Sequence, residues 1–162
     1  MKTIIVYYTF EGNCAIIAKM LESSINANKA NAKTLRIRTM ADKKRKKAGG
    51  FLWGMSQMFF NRKPVLAPYD FNAADYDFII LGMPVWAGKP VPAMRTFLDK
   101  TKISGKKVAL YCSYADEAGQ TLETLKTLLA ENTIVGEIGF KNPQKTDLDE
   151  LQKKIDGWVK TF

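Results

Sequence analysis

Strand-forming and helix-forming segments alternate along the whole 162-residue chain, and that order leaves few architectures open. Strands separated by helices run parallel, and a parallel sheet is covered by helices on both faces. Thr3 to Tyr8 is a β-branched and aromatic run, the pattern of a buried strand. Asn13 to about Ile25 follows as a helix with Ile16, Ile17, Met20 and Leu21 on one face. Lys33 to Arg38 is a short alternating strand. Tyr76 to Met83 is the most apolar strand and therefore the central one. Pro90 to Lys100 opens with prolines suited to a first helical turn and sets Val91, Met94, Phe97 and Leu98 on one face. Lys107 to Cys112 is a fourth strand. Gln120 to Asn132 is a helix with Leu122, Leu125, Leu128 and Leu129 inward. Thr133 to Lys141 is a fifth strand, placed at an edge because Gly136 and Gly139 weaken it. The last helix starts at Asp147 with Glu150 three residues on, a capping box, and buries Leu151, Ile155, Trp158 and Val159. The expectation is one α/β domain over 1–162, interrupted by a segment of about 42–64 that fits neither pattern.

Composition narrows the chemistry. With 46% hydrophobic residues the chain can build a sizeable core. It contains no histidine, which excludes Ser-His-Asp and Cys-His catalysis and any His-ligated metal. The two cysteines, Cys14 and Cys112, stand in no C-x-x-C or zinc spacing and read as buried, reduced thiols. No apolar run approaches the roughly 20 residues of a membrane span. The N-terminus has no signal-peptide pattern, so a cytoplasmic location is expected.

Ligands of an open parallel sheet sit beyond the carboxyl ends of its strands, which directs attention to three loops. Thr9-Phe10-Glu11-Gly12-Asn13-Cys14 leads from the first strand straight into the first helix. Gly12 and Asn13 tolerate unusual backbone angles, so successive amides can turn inward. The helix adds its positive end and Thr9 a hydroxyl, enough to satisfy a phosphate without lysine. An ordinary strand-to-helix turn would carry the same residues. A P-loop and a G-x-G-x-x-G after a strand are both missing, and no arginine cradle follows Cys14 as a cysteine phosphatase would need. The second loop, Gly82 to Pro90, holds Trp86 between Pro84 and a flexible Ala87-Gly88 pair, where an indole can lie against a planar ring or simply cover the sheet end. The third, Ser113 to Gly119, offers Tyr114 and its main chain to a ring edge, or is a solvated turn capped by Asp116.

These residues match a known pattern. Thr9-x-Glu11-Gly12-Asn13 resembles the flavodoxin phosphate loop, [ST]-x-[TSE]-G-N-T. Gly82-x-Pro84-Val85-Trp86-Ala87-Gly88, followed by Pro92-Ala93 and Phe97-Leu98, is similar to the ring-binding segment of short bacterial flavodoxin-like proteins. The resemblance spans essentially the whole chain and includes Ser104 to Ala109 before the fourth strand. It implies a three-layer sandwich, a five-stranded parallel sheet in the order 2-1-3-4-5, with FMN at the junction of strands one and three. Thr9, Glu11, Gly12, Asn13 and Cys14 would hold the phosphate, with Phe10 in the same loop. Pro84, Val85, Trp86, Ala87 and Gly88 would frame the isoalloxazine, and Ser113, Tyr114 and Gly119 would contribute from the third loop. Two departures stand out. Cys14 replaces the usual threonine, a weaker donor that would lower phosphate affinity by about 1 kcal/mol. Asp116 and Glu117 replace a glycine-rich third loop, and negative charge there opposes an anionic reduced flavin.

The net charge of +9 is concentrated: nine basic residues face one acid, Asp42, between Arg36 and Lys63. Lys43-Lys44-Arg45-Lys46-Lys47 precedes an apolar stretch with Phe51, Leu52, Met55, Met58 and Phe59 on one helical face. The segment reads as a variant of the helix between strands two and three, packed on the sheet. Its other reading is a docking patch for an acidic redox partner protein or an anionic membrane surface. Nucleic acid is the weakest partner, because no fold signature accompanies the charge. The expected function is electron transfer by bound FMN, with no acid–base catalytic residue and no metal. The alternatives are an NAD(P)H-dependent flavin or quinone reductase, and an interaction module that has lost flavin.

Overall fold

The computed structural model describes residues 1–28, 30–42 and 63–162. Five parallel strands form the sheet: β1 (Lys2–Tyr8), β2 (Asn31–Ile37), β3 (Phe78–Trp86), β4 (Lys107–Tyr114) and β5 (Thr133–Lys141). Their spatial order is β2-β1-β3-β4-β5, so β3 is central and β5 an edge, as their sequences indicate. Helices α1 (Asn13–Ala27), α2 (Pro92–Thr101), α3 (Thr121–Leu128) and α4 (Leu148–Val159) cover it. The segment 43–62 lies outside the described residues.

The two-residue period of the strands divides the core between the faces. Ile4, Val6 and Tyr8 of β1, Ile79, Leu81 and Met83 of β3, and Val108 and Leu110 of β4 pack against α2 and α3. Ile5 and Tyr7, Phe78 and Ile80, Ala109 and Tyr111 pack against α1 and α4. Every residue of β1 after Lys2 is buried, as a strand covered on both sides requires. The helical faces follow the sequence pattern in α2, where Val91, Met94, Phe97 and Leu98 are all buried, and in α4, where Leu151, Ile155, Trp158 and Val159 are. In α1 the buried line runs Cys14, Ile17, Ala18, Leu21 and Ile25, with Ile16 and Met20 on its flank. Asp147 opens α4 by accepting the amides of Asp149 (3.0 Å) and Glu150 (3.1 Å).

Three expectations change. Helix α3 ends at Leu128, not Asn132, and Leu128 is exposed. Leu125 and Leu129 bury with Leu122 beside them, and Leu128 falls on the far flank of that stripe. Strand β3 does not stop at Met83 but continues through Pro84, Val85 and Trp86. It then folds back in a tight hairpin, Val85 opposite Pro90 and Trp86 opposite Lys89. Ala87 and Gly88 both adopt positive φ (47° and 70°), the two-residue turn whose twist suits paired strands. Helix α2 therefore starts at Pro92, with Val91 as its N-cap. Finally, the edge-strand glycines have a packing cause. A side chain at Gly136 would crowd the Trp158 indole (3.0 Å), and one at Gly139 would strike the Tyr114 ring (2.7 Å). No helix among the described residues is long and apolar enough to cross a membrane.

Candidate functional site

The chain runs from β1 through α1 to β2 on one side, then from β3 onward to the other, so the winding reverses between β1 and β3. In open parallel sheets the crevice that takes a ligand lies at such a reversal, beyond the carboxyl ends of the strands. Three segments border it: Thr9 to Cys14, the end of β3 with its hairpin, and the loop after β4.

The first segment is tightly specified. Gly12 has φ 103°, a conformation costly for any side chain, and it starts α1 by accepting the amides of Ala15 (3.0 Å) and Ile16 (3.2 Å). Its own amide donates to the buried Thr9 hydroxyl oxygen at 3.0 Å. That bond uses the oxygen as acceptor and leaves the hydroxyl hydrogen free to donate. No side chain caps α1, and its first turn holds no acidic residue, so its amide dipoles meet no negative charge of the helix's own. The loop is also braced from outside. Arg36 of β2 donates to the Thr9 carbonyl (3.2 Å), and Gln144 donates its side-chain amide to the Glu11 carbonyl (2.8 Å) and its main-chain amide to Asn13 Oδ1 (3.3 Å). Neither Arg36 nor Gln144 was legible in the sequence as part of a site. Gln144 lies 131 and 133 residues from its partners, and no local pattern signals such a contact.

Trp86 is half-buried at the end of β3. Tyr8 and Phe10 both meet it edge-on, with ring centroids 6.1 Å and 6.2 Å away and interplanar angles of 89° and 77°. Both contacts are T-shaped, a favoured aromatic geometry that holds the indole in place. Phe10 thus joins the Thr9–Cys14 turn to the tryptophan. Tyr8 in turn donates to Asp42 (3.3 Å), whose carboxylate also receives the Thr39 amide and hydroxyl, both at 2.7 Å. Asp42 is the last described residue before the basic segment.

The third loop closes over the hairpin. Gly119 approaches Gly88 so closely that a Cβ on it would lie 2.4 Å from Gly88 Cα, and the Gln120 amide donates to the Gly88 carbonyl at 2.8 Å. Asn142 donates to this loop twice, from its amide to the Tyr114 carbonyl (2.8 Å) and from Nδ2 to the Ala115 carbonyl (3.2 Å). Asp116 and Glu117 are exposed.

Of the residues singled out in the sequence, Thr9, Phe10, Glu11, Gly12 and Asn13 lie on the first of the segments that border the crevice, and Trp86, Ala87 and Gly88 on the second. Pro84 and Val85 approach it as strand residues, not loop residues. Three side chains go elsewhere. The Tyr114 ring leans over Gly139 of β5, away from β3. The Cys14 thiol is fully buried and turned to the Ser113 hydroxyl, 3.1 Å away, so what these two residues can offer a ligand is main chain. Burial pushes both thiols, Cys14 and Cys112, up to about 12, which keeps them protonated and unreactive near neutrality. Among the described residues no cluster of His, Cys, Asp or Glu side chains could hold a metal ion.

The family model described as "Flavodoxin" matches residues 2–161 of the chain. Among solved structures, a flavoprotein from Lactobacillus acidophilus in complex with FMN superposes with a TM-score of 0.71 at 19% identity, covering 98% of both chains. A putative flavoprotein from Bacteroides uniformis gives 0.73 at 17% identity over 98% of this chain and 97% of that one. The two-electron reduced flavodoxin of Megasphaera elsdenii gives 0.64 at 21% identity over 98% of each.

Proposed function

The chain belongs to the flavodoxin family, and from that premise we propose that it is an FMN-binding flavoprotein that carries electrons between redox partner proteins. The observation that carries the reading is the Phe10–Trp86 contact, which joins an uncapped helix start to a half-exposed indole across one crevice. A phosphate needs the first feature and a planar heterocycle the second. The Thr9 hydroxyl and the amides from Asn13 onward would hold the phosphate. Trp86 would lie against the ring, with Pro84, Val85, Ala87 and Gly88 framing it and the main chain of the third loop along its edge. Bound FMN supplies reversible one- and two-electron chemistry. The protein's part is to orient the ring, keep water from one side and leave an edge open to a partner.

Titration of FMN, followed by quenching of its fluorescence, tests the reading. The protein should bind FMN, and Trp86→Ala should bind about tenfold more weakly, corresponding to ~1.4 kcal/mol of lost stacking. Unchanged affinity in the variant would remove Trp86 from the site. A carrier should oxidise NAD(P)H with a quinone acceptor only when a reductase is added; turnover by the protein alone would make it a reductase instead. The partner we propose is an acidic protein docking near residues 43–63, drawn by the charge concentrated there.

A further inference from the structure

One strand sends two side chains to a single residue at the start of α1. Tyr111 and Ser113 lie two positions apart on β4 and so face the same side of the sheet, towards α1. The Tyr111 hydroxyl donates to the Cys14 carbonyl at 3.0 Å, and the Ser113 hydroxyl meets the Cys14 thiol at 3.1 Å. Between β4 and β1, beneath which α1 begins, lies β3, and the β3 residue paired with Tyr111 is Gly82. A Cβ at Gly82 would fall 1.9 Å from Tyr111 Cζ and 2.3 Å from its hydroxyl oxygen. The missing side chain is therefore the passage through which the tyrosine crosses the central strand to reach the helix. Phenylalanine would fill the same space without that bond.

We propose that Tyr111 is a positioning residue for the phosphate end of the cofactor: its hydroxyl fixes Cys14, the second residue of α1, and so sets where the first amides of the helix point. The inference rests on the FMN reading above. Cys14 shares its turn of helix with Asn13 and Ala15, so holding its carbonyl holds the direction of the helix start. Rigid amides satisfy an anion better than amides that must be ordered when it binds. Burial raises the tyrosine well above its ordinary range, so the hydroxyl keeps its proton and remains a donor wherever the protein is folded. The role belongs to a residue no phosphate would touch.

The test compares FMN with riboflavin, which carries the same ring without the phosphate. Both are titrated by fluorescence quenching against the wild-type protein, Tyr111→Phe and Phe140→Leu. Phe140 packs against the Tyr111 ring (centroids 6.4 Å apart) and has no group that can bond its hydroxyl, so its variant loosens the same region of core without cutting the tether. Tyr111→Phe should lose about fivefold in FMN affinity, the worth of one hydrogen bond, with riboflavin affinity unchanged. Phe140→Leu should keep the wild-type ratio of the two affinities. An unchanged ratio in Tyr111→Phe, or an equal fall for both flavins, would overturn the positioning role and leave the FMN reading standing. A wild-type protein that binds FMN no better than riboflavin would overturn the phosphate cradle itself, and the proposal with it.

Discussion

Cys14 and Ser113 stand 99 positions apart, yet their side chains meet at 3.1 Å inside the core. The sequence places both in loops after strands and shows the cysteines as buried, reduced thiols; both are buried and free of disulfide. It cannot show that the Cys14 side chain turns away from the crevice, because only the packing of α1 on β4 decides which way the first helical turn faces. The burial has a consequence for stability. In the unfolded chain each thiol ionises from about 9, and in the folded protein only at about 12. Below pH 9 both states hold the proton and the stability is complete; between these values the unfolded state alone releases it, so stability falls as pH rises. Urea unfolding followed from pH 8 to about 11 should show this loss, and Cys14→Ala should lose stability less steeply over the same interval. Parallel slopes would mean that the thiol is not buried as the structure has it.

At the level of elements, the hairpin after β3 and the loop after β4 form a pair that neither sequence segment announces. Ala87-Gly88 reads as a flexible stretch, which is correct as far as backbone freedom goes. That the stretch closes a two-residue turn depends on Lys89 and Pro90 returning to pair with Trp86 and Val85. Gly119 reads as one more loop glycine, whereas its lack of a Cβ is what lets the third loop lie against Gly88. Because the obstacle is backbone on both sides, no side-chain rotation can relieve it. Gly119→Ala should therefore destabilise the protein by about 2 kcal/mol in urea denaturation and weaken FMN binding as the loop moves off the hairpin. Wild-type affinity together with wild-type stability would show that the two loops are not in contact. The helix boundaries follow the same logic: α4 starts where Asp147 says it should, since a cap is local, while α3 ends early at Leu128 because core contact, not propensity, determines its last turn.

For the whole molecule, charge and winding act together. The excess of basic residues lies between Arg36 and Lys63, and the chain leaves the described fold at Asp42, which is tied through Tyr8 to the Trp86 cluster. The described residues resume at Lys63, and just past β2 the Met40 amide donates to the Val65 carbonyl (2.9 Å) and that of Ala67 to the Arg38 carbonyl (2.8 Å). The acidic partner proposed above would be drawn by that charge. The rate of reduction by such a partner should fall several-fold as salt rises from about 50 to 300 mM, and replacing Lys43, Lys44, Lys46 and Lys47 with Gln should flatten that dependence. A rate insensitive to salt would remove the segment from docking. The sequence by itself determined the class of fold, the order of its elements and the turn that starts α1, because alternation of period, caps and glycine-asparagine turns are properties of neighbours along the chain. Only the tertiary structure decided that Gln144 and Arg36 brace that turn, that Tyr111 crosses Gly82, and that Tyr8 and Phe10 flank Trp86. Those contacts join strands and loops brought together by the winding of the sheet, and no run of adjacent residues carries their geometry.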